Sequence, residues 1–303
     1  MINRLIASTL PLLPKRFVWL FSRSYIAGET VEDAMSACRA LNEDGIKTTI
    51  DILGEFIQNL GEAEKNRDEY LALIDIAQRT GIDGNYSVKP TMFGLLIDAE
   101  VCYSHIRDIV AKAASDGNFV RIDMEDSACV DLEINLFRRL KTEYPENVGL
   151  VVQAYLHRTL NDLKDLMDLH TPTIPLNYRL CKGIYAEPGH IAFQRHDEIN
   201  AHFLEDLEFM FRNGVYPGIA THDRSLVDGA LALIDKYEIP RDRYEFQMLY
   251  GVTPELRRSL IEAGHTLRVY VPYGRHWFGY STRRLKENPK IVNSIVKSLL
   301  LSR

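Results

Sequence analysis

A (β/α)8 barrel, a TIM-type α/β fold with extra N-terminal helices and a C-terminal helix, is the architecture this 303-residue sequence predicts. Three observations carry that expectation. Eight β-rich runs recur, at 47–53, 86–90, 119–124, 149–155, 175–182, 218–221, 244–249 and 266–271. Their starts lie 22 to 43 residues apart, room for one strand, one helix and two loops. Several runs, such as Val-Gly-Leu-Val-Val at 148–152 and Leu-Arg-Val-Tyr-Val at 267–271, are near-continuous apolar segments, as in strands buried on both faces of a parallel sheet. The stretches between them, 68–79 and 131–141 among them, carry apolar residues three and four apart, the spacing of helices packed on one side. An open doubly wound sheet is the alternative, because strand order is not legible in one sequence. No G-x-G-x-x-G follows the first run, which weighs against a dinucleotide-binding sheet of that kind.

One domain is expected over 1–303: helices over 1–45, the barrel over 46–288 and an amphipathic helix over 289–303. Hydrophobic residues make up 46% and charged residues 26%, enough to build a large core. The net charge of −6 argues against bulk nucleic-acid binding, which needs a basic face. It says little about a small anion, which a few local cations can hold. Cys38, Cys102, Cys129 and Cys181 show neither CxxC pairing nor zinc spacing, so they read as reduced thiols of a cytoplasmic protein. No cleavable signal is evident. The apolar stretch 5–20 is broken by Pro11, Pro14, Lys15 and Arg16 and cannot span a bilayer.

In such a barrel the active site lies at the C-terminal ends of the strands. Those ends offer Asp51 and Glu55, Lys89, Asp123 with Glu125, Gln153, Arg179 with Lys182, Thr221-His222-Asp223, Gln247, and Tyr270. Each has a plain alternative: an Asp after a strand is as readily the N-cap of the next helix, and Asp123 and Asp223 are open to that reading. The set also concentrates cations: Lys89, Arg179 and Lys182, with Arg283 and Arg284 beyond the last strand. Unpaired buried cations are costly, so the cluster points to an anionic ligand. Arginine's planar fork fits a carboxylate in particular. On a helix from residue 280, Tyr280, Arg283, Arg284 and Glu287 share one face; a solvated face with internal Arg–Glu pairs is the plain alternative. No metal site is expected, since the histidines form no HxH or HExxH. His196 and His202 fall in a helical stretch, as surface or packing residues. GxSxG is missing. A Schiff-base lyase or aldolase using Lys89 or Lys182 stays open, as does a non-catalytic amino-acid-binding barrel.

At these same residues the sequence resembles the proline dehydrogenase family, flavin-dependent barrel enzymes of proline catabolism, including the corresponding domain of bifunctional proline utilisation A. The resemblance rests on Arg-Leu-Cys-Lys-Gly-Ile-Tyr at 179–185, Glu-Phe-Gln-Met-Leu-Tyr-Gly at 245–251, Leu-Arg-Val-Tyr-Val-Pro-Tyr-Gly at 267–274 and Tyr-x-x-Arg-Arg-Leu-x-Glu-Asn at 280–288. Asp51–Glu55, Ser87–Lys89, Asp123-Met124, 152–155 and 220–222 follow in the family's order. Each motif is weak alone, but the ordered set is specific and covers about residues 45 to 290.

The resemblance implies oxidation of L-proline to Δ1-pyrroline-5-carboxylate, by hydride transfer to FAD and onward to a quinone. It puts Lys89, Arg283 and Arg284 on the proline carboxylate. Tyr270 and Tyr280 would wall the ring, with Leu249 and Asp123 beside it, and Glu55 would gate the pocket by pairing with Arg283. Met124, Gln153, Arg179, Lys182, Gly183, Tyr185, Thr221, His222, Gln247 and Glu287 would contact FAD. Arg179, Asp123 and Tyr270 would sit closest to the chemistry, which depends chiefly on positioning. Cys181, Ile184 and Ala186 depart from the family's usual Val, Ala and aromatic, altering packing beside the flavin. Without an aldehyde dehydrogenase module or a DNA-binding arm the chain looks like the stand-alone bacterial type, passing its product to a separate Δ1-pyrroline-5-carboxylate dehydrogenase. The stretch 290–303 places Ile291, Val292, Ile295, Val296, Leu299 and Leu300 on one side, fringed by Lys290, Lys297 and Arg303. It reads either as a helix docked on the barrel or as a reversible, peripheral contact with the inner face of the cell membrane, where the quinone resides.

Overall fold

The computed structural model describes residues 19, 22, 24–278, 280 and 281. Eight strands run β1 Lys47–Ile52, β2 Gly84–Val88, β3 Val120–Ile122, β4 Val148–Gln153, β5 Asn177–Cys181, β6 Tyr216–Ala220, β7 Glu245–Leu249 and β8 Leu267–Tyr273. Each pairs in parallel with the next, and β8 pairs back onto β1, so the sheet closes as a barrel. This is the predicted (β/α)8 fold, with strand limits within a few residues of the expected runs. The doubly wound alternative is excluded.

Helices α1 (Val31–Glu43), α2 (Leu60–Thr80), α3 (Ala99–Ser115), α4 (Val130–Glu143), α5 (Thr159–Asp165), α6 (His196–Arg212), α7 (Arg224–Lys236) and α8 (Pro254–Glu262) surround the sheet. Local chemistry sets their starts. Thr30 and Asp33 form a reciprocal capping box on α1, and Asn59, Asp98 and Asp223 accept first-turn amides of α2, α3 and α7. The expected amphipathic stretches 68–79 and 131–141 fall inside α2 and α4. Helix α1 precedes the barrel in sequence yet packs on β8 and β1, covering the seam where the sheet closes.

The strands are buried on both faces, but the two faces differ. Ile50, Ile52, Val88, Ile122, Leu150, Val152, Leu180, Ile219, Phe246, Val269 and Val271 belong to the apolar core beneath the helices. The alternate residues turn inward and are largely polar. Thr49 and Asn85 bond across β1 and β2, and Arg121 donates to Asn177 from β3 to β5. The apolar runs are therefore only half apolar in function: the helices take the greasy face, and the barrel lumen is filled by charged and amide side chains.

Candidate functional site

At the C-terminal mouth of the barrel four strands converge on one carboxylate. Asp123, just beyond β3, accepts from Arg179 Nη1 at 2.8 Å, Ser87 Oγ at 2.5 Å and Tyr270 OH at 3.0 Å, and Lys89 Nζ stands 3.5 Å away. Lys89 donates to Asp51 at 2.6 Å and to Tyr270 OH at 3.1 Å. Its position follows from sequence: Pro90 forbids a further strand residue, holds Lys89 extended and starts a tight turn that aims the ammonium inward. The Tyr270 ring lies beneath both cations, 5.8 Å from Lys89 Nζ and 5.0 Å from the Arg179 guanidinium carbon.

The charges balance: Lys89 and Arg179 against Asp51 and Asp123. Burial opposes the ionised form of Asp123, but Lys89 and Arg179 outweigh it and hold the carboxyl below the usual range. Asp51 is fully buried; burial, with the field of Asp123, pushes its pKa up to about 6 against the pull of Lys89. Burial likewise opposes the Lys89 ammonium, yet Asp51 and Asp123 raise its pKa well above normal and keep it charged. Burial first, then the two carboxylates, drives the Tyr270 phenol far up, so it stays protonated and donates.

A second set of bonds ties the neighbouring loops. Thr91 gives both its amide and its hydroxyl to Glu125, whose pKa burial pushes up to about 7. Gln153 Nε2 donates to the Glu125 carbonyl at 2.8 Å, and the Glu125 amide donates to Glu133. The Thr91 hydroxyl also accepts from the amide of Phe56, a residue held at φ 51° in the loop after β1. On the opposite side of the mouth Lys182 donates to Asp223 at 2.6 Å, and His222 Nε2 accepts from the Leu249 amide at 2.9 Å.

The proline dehydrogenase family model matches residues 34–297. The chain belongs to the proline dehydrogenase family. It is 35% identical over 292 residues to the proline dehydrogenase of Deinococcus radiodurans, covering 95% of this chain and 93% of that protein. It is 34% identical over 281 residues to proline dehydrogenase 1 of Bacillus subtilis strain 168, covering 93% and 91%. Among solved structures it superposes on proline utilization A of Bdellovibrio bacteriovorus inactivated by N-propargylglycine, with a TM-score of 0.82 at 23% identity. That match covers 88% of this chain and 32% of the larger protein, and it speaks for the fold alone.

The structure brings together most of the residues singled out from the sequence. Asp123, Arg179, Tyr270 and Lys89 form the cluster above, and Gln247 bonds Arg179 from β7. Leu249 ends β7, Met124 is buried beyond β3, and Gln153 ends β4. Thr221 is buried after β6, where its hydroxyl accepts from the Asp223 amide. Glu55, Tyr185 and Gly183 are partly exposed at the rim. Gly183 adopts φ +103°, and a Cβ there would fall 2.1 Å from the Tyr155 ring, so only glycine admits this approach. Tyr280 is buried with Leu53, Tyr25 and Trp277. Arg283, Arg284, Glu287 and the amphipathic stretch 290–303 lie outside the described residues.

Two expectations change. The cations Lys89, Arg179 and Lys182 are not unpaired, since each has a carboxylate on the protein. Their presence alone therefore no longer demands an anionic ligand. The N-cap alternative also divides: Asp223 caps α7, whereas Asp123 caps nothing and instead gathers the cluster. Sequence reasoning placed Asp51 among the strand-end candidates without a specific role, and gave none to Ser87 or Glu245. A two-residue inward alternation, Asn85-Ser87 and Glu245-Gln247, was the signal that could have found the latter two.

Proposed function

We propose that this chain oxidises L-proline to Δ1-pyrroline-5-carboxylate with FAD as hydride acceptor and a membrane quinone as final oxidant, the first step of proline catabolism to glutamate. The carrying observation is the Lys89–Asp51–Asp123–Tyr270–Arg179 cluster at the barrel mouth of a proline dehydrogenase family member. One observation suits the mouth to a flavin nucleotide: Arg179 Nη2 has no protein acceptor among the described residues, so a donor remains for the ligand. Met124, Gln153, Arg179, Lys182, Gly183, Tyr185, Thr221, His222 and Gln247, with Glu287, would hold FAD, which when bound supplies a two-electron acceptor.

The chain's own residues would do the following. Lys89, kept charged by Asp51 and Asp123, binds the proline carboxylate with Arg283 and Arg284. Tyr270, fixed through its hydroxyl, offers its ring as a wall, opposite Tyr280 and beside Leu249. Arg179 places positive charge where negative charge develops as the C5–H electron pair leaves. Glu55 would gate the entrance. Asp123, held below the usual carboxylate range by two cations, is a poor base. Proline therefore reacts with its amine already neutral, the nitrogen lone pair closing the C5=N1 bond. A rate of flavin reduction that is flat from roughly pH 6 to 9 would overturn that last point, because the amine should titrate.

A Schiff-base role for Lys89 is disfavoured, since its amine is held protonated and hydrogen-bonded. The visible spectrum tests the whole reading. Purified protein is expected to be yellow and to bleach on anaerobic addition of L-proline; a colourless protein that takes up no FAD sinks it. No described helix is long and apolar enough to cross a membrane. The stretch 290–303 would make a peripheral contact with the cytoplasmic face, where the quinone is reached. Truncation after Asn288 is expected to lower the fraction pelleting with quinone-bearing vesicles. An unchanged fraction removes the membrane role. The product would pass to a separate Δ1-pyrroline-5-carboxylate dehydrogenase.

A further inference from the structure

Below the mouth, a polar chain crosses the barrel lumen. Arg268 on β8 donates through Nη1 to the Thr48 carbonyl at 2.8 Å and through Nε to Glu245 Oε1 at 2.7 Å. The same Glu245 oxygen accepts from Gln247 Nε2 at 2.6 Å, and Gln247 Oε1 accepts from Arg179 Nε at 2.7 Å. Glu245 is fully buried. Burial opposes its charge, but Arg268 overcomes this and keeps it ionised.

An amide has two faces, and turning Gln247 over would set its NH2 against the Arg179 N–H, donor against donor. An ionised carboxylate only accepts, so Glu245 admits Gln247 in one orientation, with the amide oxygen aimed at Arg179. The opposite side of the amide is fitted as closely. A Cβ at Gly218 would lie 2.4 Å from Gln247 Nε2, so β6 carries glycine where the amide lies. A buried ion pair generally adds little net stability over apolar residues of similar volume, so stability alone does not explain this one.

We propose that Glu245, with Arg268, is a positioning residue for Arg179, acting through the amide of Gln247. It touches neither substrate nor cofactor. Its role is to keep the guanidinium from swinging, so that its charge stays where electrons arrive. This rests on the flavin reading above.

The test is the double variant Glu245→Met with Arg268→Met, which removes the pair without stranding one buried charge. With FAD bound, the equilibrium for two-electron flavin reduction is expected to become about tenfold less favourable, a fall of about 30 mV in midpoint potential. Flavin reduction by L-proline should slow by about the same factor. The dissociation constant for cyclopentanecarboxylate, a non-oxidisable probe of the carboxylate site, should not move. Gly218→Ala, which pushes the same amide from the other side, should give the same signature and serves if the double variant does not fold. Unchanged potential and reduction rate in a folded, flavin-loaded variant overturn the proposal. So does failure of both variants to fold, which would assign the pair a structural role only. Wild-type protein that takes up no FAD, or is not reduced by proline, instead overturns the flavin reading.

Discussion

Replacing Asp51 by Asn should tighten carboxylate binding and remove a pH dependence that the native site possesses. Lys89 divides its ammonium between Asp51, at 2.6 Å, and Asp123, at 3.5 Å. A ligand carboxylate on the free side of that ammonium would stand ~6 Å from the Asp51 carboxylate, where an effective dielectric of about 20 gives ~3 kcal/mol of repulsion. If half of that is realised, Asp51→Asn gains about tenfold in affinity at pH 7.5. The sign with pH follows from the pKa of about 6 that burial gives Asp51. Below it the side chain is neutral and the cluster carries an extra positive charge. Anion affinity should therefore be high at acid pH and fall as pH rises through about 6. By linkage, binding draws a proton onto Asp51. Titrating cyclopentanecarboxylate against the flavin difference spectrum from pH 5 to 8 checks this, with Asp51→Asn as the flat reference. Equal slopes in the two proteins, or weaker binding in the variant at pH 7.5, would refute the reasoning.

Three other outcomes are expected. Asp123→Asn leaves Arg179 and Lys89 short of a shared counter-charge, and should lower stability by about 3–5 kcal/mol in urea titrations while slowing flavin reduction more than it raises the proline KM. Gly183→Ala forces φ +103° and a 2.1 Å contact with Tyr155, so flavin affinity should drop at least about tenfold while the far-ultraviolet circular dichroism is retained. Asp206, buried on α6 with neither carboxyl oxygen hydrogen-bonded among the described residues, has its pKa pushed up by burial to about 8. A folded pKa raised above the unfolded one contributes stability present below about pH 4 and lost as pH rises through 8. Asp206→Asn should therefore gain on the native protein between pH 5 and 9, by an amount on the order of a few kcal/mol in thermal or urea unfolding. Parallel pH–stability curves would count against a buried carboxyl there.

The barrel was legible because each unit repeats a local signal. The run 148–152 and the helical spacing of 131–141 each announce one element, and eight such units in a row leave few alternatives. The mouth was legible for a related reason. A parallel barrel puts every strand's C-terminal end on one side, so Lys89, Asp123, Arg179 and Tyr270 had to meet whatever their separation in sequence. The partners inside the lumen were not legible. Glu245 reads as one more charged residue in a strand; Gln247 stands two residues on along the same face of β7, but only the pairing of β8 with β7 brings Arg268 to it.

The sequence by itself determined the element order, the alternation of buried strands with helices and the residue types at the active rim, because these follow from periodicity and chain direction. That the sheet closes, β8 onto β1, was decided by the structure. The tertiary structure alone decided which charges pair. Asp123 and Asp223 carry the same local signature after a strand, yet one caps a helix and the other gathers two cations, a serine and a tyrosine. Side-chain pairing across a barrel depends on register and on which face each residue turns inward, and those are properties of the assembled sheet.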